Sequence, residues 1–253
     1  MSAELDDLTA QHAELAGVLE GLDATAWATP SRCEGWSVAD VVLHLAQTDE
    51  MALASFQGRL PEHVESVASV WAGAADVDDG ADRLVVLERG AQTADEIHRR
   101  WRDGGAALRT AFAALDPSAR VLWVAGQLSA RSLATTRLAE CWIHTGDVAE
   151  PLGVDLPATD RLRPVARLAW RTLPYAFARA GRPAPGPVAF HLTGPSGDEW
   201  RFDPAGDPAP TVVTGPALDL CRVAGQRAKA GDTALRAAGP DADAVLDLVR
   251  TFA

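Results

Sequence analysis

Apolar residues recur three and four positions apart through the first part of the chain, the spacing of one helix face. Leu5, Leu8, His12, Leu15, Val18, Leu19 and Leu22 form the first such stripe. The segment DATAWATPSRCEGW, with Pro30 and Gly35, interrupts it. SVADVVLHLAQTDEMALASF follows. Ser37 suits an N-cap, and Asp40 three positions on makes a variant of the capping box. Val38, Val41, Val42 and Leu45 supply its apolar stripe. Residues 57–92 read as a long connection containing some helix. Ile97, Trp101, Leu108, Ala111, Phe112 and Leu115 mark a third long helix, interrupted by Gly104–Gly105 and stopped by Pro117. A fourth begins near Ser129 or Ser132 and ends before Pro151. Four long helices in succession predict a four-helix bundle, an architecture that places cofactor sites between facing helices.

After Pro157 the pattern changes. Residues 159–180 read as a fifth helix, bent or bounded by Pro164 and Pro174. RAGRPAPGP reads as a linker. VAFHLTG and EWRFDP alternate as strands joined by the turn GPSGD, and PTVVTG is a third short strand. GPALDLCRVAGQR and DADAVLDLVRTFA close the chain as helices. The expected fold is mainly α: a helical bundle over residues 1–157, then a small α+β domain over residues 158–253.

The length of 253 residues allows one large domain or two small ones. The opening MSAELDDL is acidic and lacks the pattern of a secretory leader, and no apolar stretch is long enough to span a bilayer. The expectation is a cytoplasmic protein that does not engage a membrane. Cys33, Cys141 and Cys221 are odd in number and form no CxxC, which fits reduced thiols rather than a disulfide framework. The net charge of -12, without a basic stripe, argues against nucleic acid as a partner. An anionic ligand would therefore need a few local arginines. No GxSxG, Walker A, GxGxxG or HExxH motif occurs.

Chemistry concentrates in RLAECWIHTGDVAE, residues 137–150. At about 100° per residue, Thr136, Arg137, Glu140, His144 and Asp147 share one side of the fourth helix. Glu140 and His144 stand one turn apart, so both can reach one ion. The same pair is also common on a solvated face, and a third ligand decides between the readings. His44, inside VVLHLA, flanks the buried stripe of the second helix and is either a core histidine or that ligand. If the second and fourth helices face each other, His44, Glu140 and His144 make a two-histidine, one-carboxylate set. Such a set with one open position is a usual catalytic zinc arrangement and also accepts Fe(II), Ni(II) or Co(II). His12 reads as core, His63 and His98 as exposed, and Cys141 as packing.

GWSVADVVLHLA and SARSLATTRLAECWIHTGDVAEPLG together resemble the DinB-like metal-binding bundle of the mycothiol-dependent maleylpyruvate isomerase family, in particular its actinobacterial metal-binding branch. The family pattern is G-W-S-x-x-D-x-x-x-H-L on one helix and E-x-x-x-H-x-x-D on another. Gly35, Trp36, Ser37, Asp40, His44 and Leu45 match the first, and Glu140, His144 and Asp147 match the second. The resemblance implies metal ligands at His44, Glu140 and His144. The second domain resembles the family's α+β domain, in which an arginine follows a glycine near the active-site mouth. Arg227 after Gly225–Gln226 is the best match, with one extra residue between. IHTGD departs from the commoner AHGQD at Thr145 and Gly146, which leaves the ligands untouched but changes their surroundings.

The function implied by the resemblance is that of a zinc-dependent isomerase or S-transferase with mycothiol as thiol co-substrate. A divalent metal with an open position deprotonates a bound thiol, and the thiolate adds to a conjugated double bond. Arg227 and Arg137 are candidates to meet an anionic small-molecule substrate. Asp40 and Asp147 are candidates to orient the imidazoles. Two other readings stand beside this one: a metal-containing small-molecule binding protein without catalysis, and a metal-assisted hydrolase using Asp147 as base. The expected assembly is a monomer or homodimer.

Overall fold

The computed structural model of the chain describes residues 3–75, 77–124 and 126–251. It divides into two compact units, Met1–Leu156 and Pro157–Ala253. The fold is mainly α, with small sheets.

The first unit runs α1 (Ala3–Leu19), α2 (Ala24–Trp27), α3 (Val38–Phe56), α4 (Leu60–Trp71), α5 (Val77–Glu88), α6 (Ala94–Ala113), β1 (Arg120–Trp123), β2 (Gly126–Ser129) and α7 (Ala130–Ala149). The long helices start where their caps dictate. Ser37 closes a capping box with Asp40: the Asp40 carboxylate accepts from Ser37 N at 2.9 Å, and Ser37 Oγ accepts from Asp40 N at 3.3 Å. Thr93 and Glu96 do the same for α6. Ser129 caps α7 by accepting from Ser132 N at 3.1 Å. Each cap satisfies backbone N–H groups that the first turn leaves without partners.

Helix α3 packs on α6 and α7, and α1 packs on the same two, so the four long helices form a ring in the order α1, α6, α3, α7. Leu8, Leu15, Leu45, Trp101, Leu108 and Leu138 fill its interior. Burying each such side chain contributes about 1.5–3 kcal/mol.

The structure refines or departs from these expectations at several places. Helix α6 runs unbroken through Gly104–Gly105. Gly105 marks a close approach: a Cβ there would lie 2.9 Å from His12 Nδ1. Residues 57–92 resolve into α4 and α5. The β1–β2 hairpin, paired from Arg120↔Ser129 to Trp123↔Gly126, occupies the stretch between the third and fourth predicted helices, for which the sequence pattern names no element. His98 is half-buried beside the rings of Trp27 and Trp101 rather than exposed.

The second unit runs α8 (Leu162–Arg171), α9 (Leu173–Arg179), β3 (Val188–Thr193), β4 (Glu199–Phe202), β5 (Thr211–Pro216), α10 (Ala217–Ala224), β6 (Arg236–Ala238) and α11 (Ala242–Leu248). The expected fifth helix is two helices, with Pro174 in the first turn of α9. The strands make a sheet ordered β4-β3-β5-β6, in which β3 and β5 are parallel and the outer pairs antiparallel. Strand β6 lies between the two helices read at the C-terminal end of the sequence. Phe190, Leu192, Val213, Leu220 and Cys221 are buried, and Trp170 Nε1 donates to Val188 O at 2.8 Å, tying α8 to the sheet.

Candidate metal centre

The seam between α3 and α7 brings three donor atoms together. His44 Nε2 lies 2.8 Å from Glu140 Oε1. His144 Nε2, one turn along α7 from Glu140, lies 3.5 Å from the same oxygen. The two imidazole rings stand nearly perpendicular, with centroids 5.1 Å apart. All three side chains are buried. Tetrahedral bonds of about 2.0–2.1 Å put neighbouring ligand atoms roughly 3.3 Å apart, so these separations need only small adjustments to close on one ion. Among the described residues, His44–Glu140–His144 is one of two groups whose donor atoms lie within 4.8 Å of one another; Cys33–His144–Asp147 is the other.

The groups share His144, through different nitrogens. Asp147 Oδ2 lies 2.9 Å from His144 Nδ1. A carboxylate there accepts a hydrogen bond from Nδ1–H and, in the neutral imidazole, leaves the Nε2 lone pair facing Glu140 and His44, the usual way a metal-ligating histidine is held. Cys33 Sγ donates to the same Asp147 oxygen at 3.3 Å and sits 3.7 Å from His144 Nδ1. The loop preceding α3 delivers Cys33. Gly35, at φ 78°, lets it fold back so that Ser31 N donates to Trp36 O at 2.8 Å. Arg32 N then donates to Asp147 O at 3.2 Å. Trp36 covers His44, ring centroids 5.0 Å apart. Trp36 belongs to the family motif but carried no stated role in the sequence, and Cys33 did not stand out as site-forming; its one signal was its position just before the helix that carries His44.

The electrostatics favour a cation among these atoms. Burial would raise the Glu140 carboxyl, but the hydrogen bonds to His144 and His44, with Arg137 nearby, hold it well below the usual carboxylate range. Burial would lower His144, yet Asp147, Cys33 and Glu140 hold it well above the ordinary imidazole range. His44 goes down, because burial outweighs its bond to Glu140. Cys141 turns into the core, where burial pushes its thiol up and leaves it a packing group.

The remaining expected residues sit elsewhere. Asp40 does not orient His44. At the third position of α3 its carboxylate turns back to the N-cap, with Arg89 3.6 Å away. Arg137 shares the Glu140 side of α7 but is buried rather than open to a ligand. Its Nε donates to Asp49 Oδ1 at 3.1 Å, and a terminal nitrogen donates to Thr48 Oγ1 at 2.7 Å. Thr48 in turn donates to His44 O at 3.0 Å. Arg137 thus clamps α7 to α3 one turn away from the donor atoms. Arg227 lies in the second unit, half-buried in the turn after α10, where it donates to Gly225 O at 2.9 Å.

Residues 8–149 match the family model described as the mycothiol maleylpyruvate isomerase N-terminal domain. Two uncharacterised proteins of Mycobacterium tuberculosis, from strains CDC 1551 / Oshkosh and ATCC 25618 / H37Rv, are each 35% identical over 248 residues, covering 98% of this chain and 94% of theirs. Among solved structures, a mycothiol-dependent maleylpyruvate isomerase and a histidine-to-alanine mutant of it superpose with TM-scores of 0.58 and 0.59. Both are 18% identical, covering 92% of this chain and 91% of theirs, and at that identity they speak to the fold.

Proposed function

The chain belongs to the mycothiol maleylpyruvate isomerase family, and from that premise we propose that it is a divalent-metal enzyme, with zinc as the resident ion, using mycothiol as its thiol. The observation that carries the reading is the convergence of His44 Nε2, Glu140 Oε1 and His144 Nε2 in a buried seam. The donor set fits the ion: two imidazole nitrogens and one carboxylate oxygen are the ligand types of catalytic zinc, and three protein ligands leave a position open. When bound, such an ion lowers the pKa of a coordinated thiol until the thiolate predominates at neutral pH.

The chain's own groups prepare that position. Asp147 holds the Nδ1 proton of His144, so the Nε2 lone pair points inward. Glu140 brings the negative charge, and its lowered pKa keeps it ionised. Trp36 and the core around α3 keep water from the imidazole of His44. A thiolate sulfur adding to one carbon of a conjugated double bond leaves a single bond that rotates, and elimination of the thiolate restores the double bond in the other geometry. Uptake of a proton at the other carbon retains the adduct and gives a thioether, an S-conjugation, instead. The hydrolytic alternative is weaker, because Asp147, the base it would use, already accepts from His144 and Cys33.

The test is elemental analysis of the full chain, with turnover of cis-unsaturated dicarboxylic acids assayed with and without mycothiol. The expected result is one tightly held divalent ion per chain, lost in His44→Ala, and turnover that needs both thiol and ion. A native protein that takes up no ion at stoichiometric zinc, or turnover that survives chelation, defeats the proposal.

A further inference from the structure

The ring of long helices has a second polar seam, between α1 and α6, diagonal to the one that carries the donor atoms. A cavity of about 180 Å³ opens there. That is room for about six waters at their liquid volume. Arg102 and Arg109 line it, with His12, Trp101 and the small residues Ala13 and Ala16. Those alanines, and Gly105 beneath His12, are what leave the space.

The charges there are unbalanced. The protein as a whole carries -12. Yet among the described residues neither Arg102 nor Arg109 has a carboxylate within ion-pair or hydrogen-bond reach. Arg109 is half-buried, and its guanidinium bonds to His12 Nδ1. An imidazole accepting through Nδ1 is neutral and cannot offset that charge. Asp49 acts on Arg109 through space only; it is bound by Arg137 and stays 3.7 Å from His12 Nε2. A partly desolvated guanidinium without an anion is costly, and its planar fork matches a carboxylate or phosphate.

We propose that this seam is a binding site for a small oxyanion, which docks on Arg109, is drawn in by Arg102 and lies against the indole of Trp101. The chemistry is shared by a small organic carboxylate and inorganic phosphate. The apolar lining from Trp101, Ala13 and Ala16 favours a carboxylate with a short apolar body.

Calorimetry on the metal-loaded full chain tests this, with sodium benzoate and inorganic phosphate as probes and chloride holding ionic strength constant. Saturable binding of one anion per chain is expected, with benzoate bound more tightly. Arg109→Gln weakens it roughly tenfold or more. Ala13→Leu keeps both guanidiniums but fills the space, and weakens it as well; it decides the matter if Arg109→Gln does not fold. His44→Ala, in the other seam, is compared with the metal-free parent and binds the anion as that parent does. Tighter binding of phosphate keeps the site and reassigns its ligand. The proposal falls if neither probe saturates below about 10 mM, if both seam variants bind as the parent does, or if binding disappears in His44→Ala.

Discussion

Replacing Arg137 by methionine separates a structural clamp from a substrate-binding cation. Arg137 is 3% exposed and Asp49 2%, so the pair lies in the interior. Among the described residues, the substitution removes the only hydrogen bond to Asp49 Oδ1, and Oδ2 has none. It also frees Thr48, one turn from His44. Breaking a buried pair by deleting one partner costs about 3–5 kcal/mol, because a charge stays behind in low dielectric. Against a typical total of about 5–15 kcal/mol, that is a large part of the stability of the first unit. At roughly 2–4 °C per kcal/mol for a unit of this size, Tm falls by about 6–20 °C. Arg137→Met/Asp49→Leu removes both charges and recovers most of the loss. Urea and thermal unfolding followed by far-ultraviolet circular dichroism measure this. Each variant is run with saturating zinc and again with chelator, since a ligand bound only by the folded state adds stability of its own. If Arg137→Met unfolds within about 1 kcal/mol of the parent in both conditions while turnover collapses, the clamp is refuted and the arginine serves the substrate.

Two further outcomes follow from the same interior. Asp147→Ala leaves His144 Nδ1 without its carboxylate and lowers metal affinity by roughly 10–100-fold in chelator competition; unchanged affinity would mean that His144 is held by other groups. His12 is lowered from 6.5 to about 4, chiefly by burial, with Asp49 pulling the other way. The folded state then binds fewer protons than the unfolded state between those values. The contribution is intact above 6.5 and drains away as pH falls toward 4, a loss of about 3 kcal/mol. Unfolding curves of the parent and His12→Gln at about pH 7 and about pH 4 should therefore diverge by that amount, and parallel curves contradict it.

What could be read from the sequence was what is local. Ser37 with Asp40 and Ser129 before α7 are caps, and caps are decided within four residues. Glu140 and His144 face one way because a helix turns once in 3.6 residues. His44 needed more. Its approach to Glu140 spans 96 positions and depends on how α3 packs against α7, which periodicity does not specify; there the family resemblance supplied the answer. Arg137 shows the limit from the other side. Its face on α7 was legible, but Asp49, 88 positions away, was not, so a buried clamp read as a free cation. Asp40 was assigned two duties that one carboxylate cannot perform together, and the local one prevailed. Gly104–Gly105 looked like a break because an isolated helix is weakened by glycine, whereas in the bundle Gly105 makes room for His12.

The buried charges of the seam bear on the proposed divalent ion alongside the ligand geometry. Glu140, Asp147 and Asp49 are buried carboxylates, and Arg137 is a buried guanidinium among them. Asp49 is bonded directly to Arg137. Glu140 and Asp147 stand on either side of the His144 imidazole. Charge in an interior is expensive, and a protein answers either by shifting a pKa or by holding a counter-ion. The upward shift of His144 is the first answer. A divalent cation at the three donor atoms would be the second, and ligation by His144 requires its neutral form. On this reasoning Glu140→Gln, which keeps an oxygen donor but removes one charge, weakens the site by more than the exchange of one neutral ligand for another would.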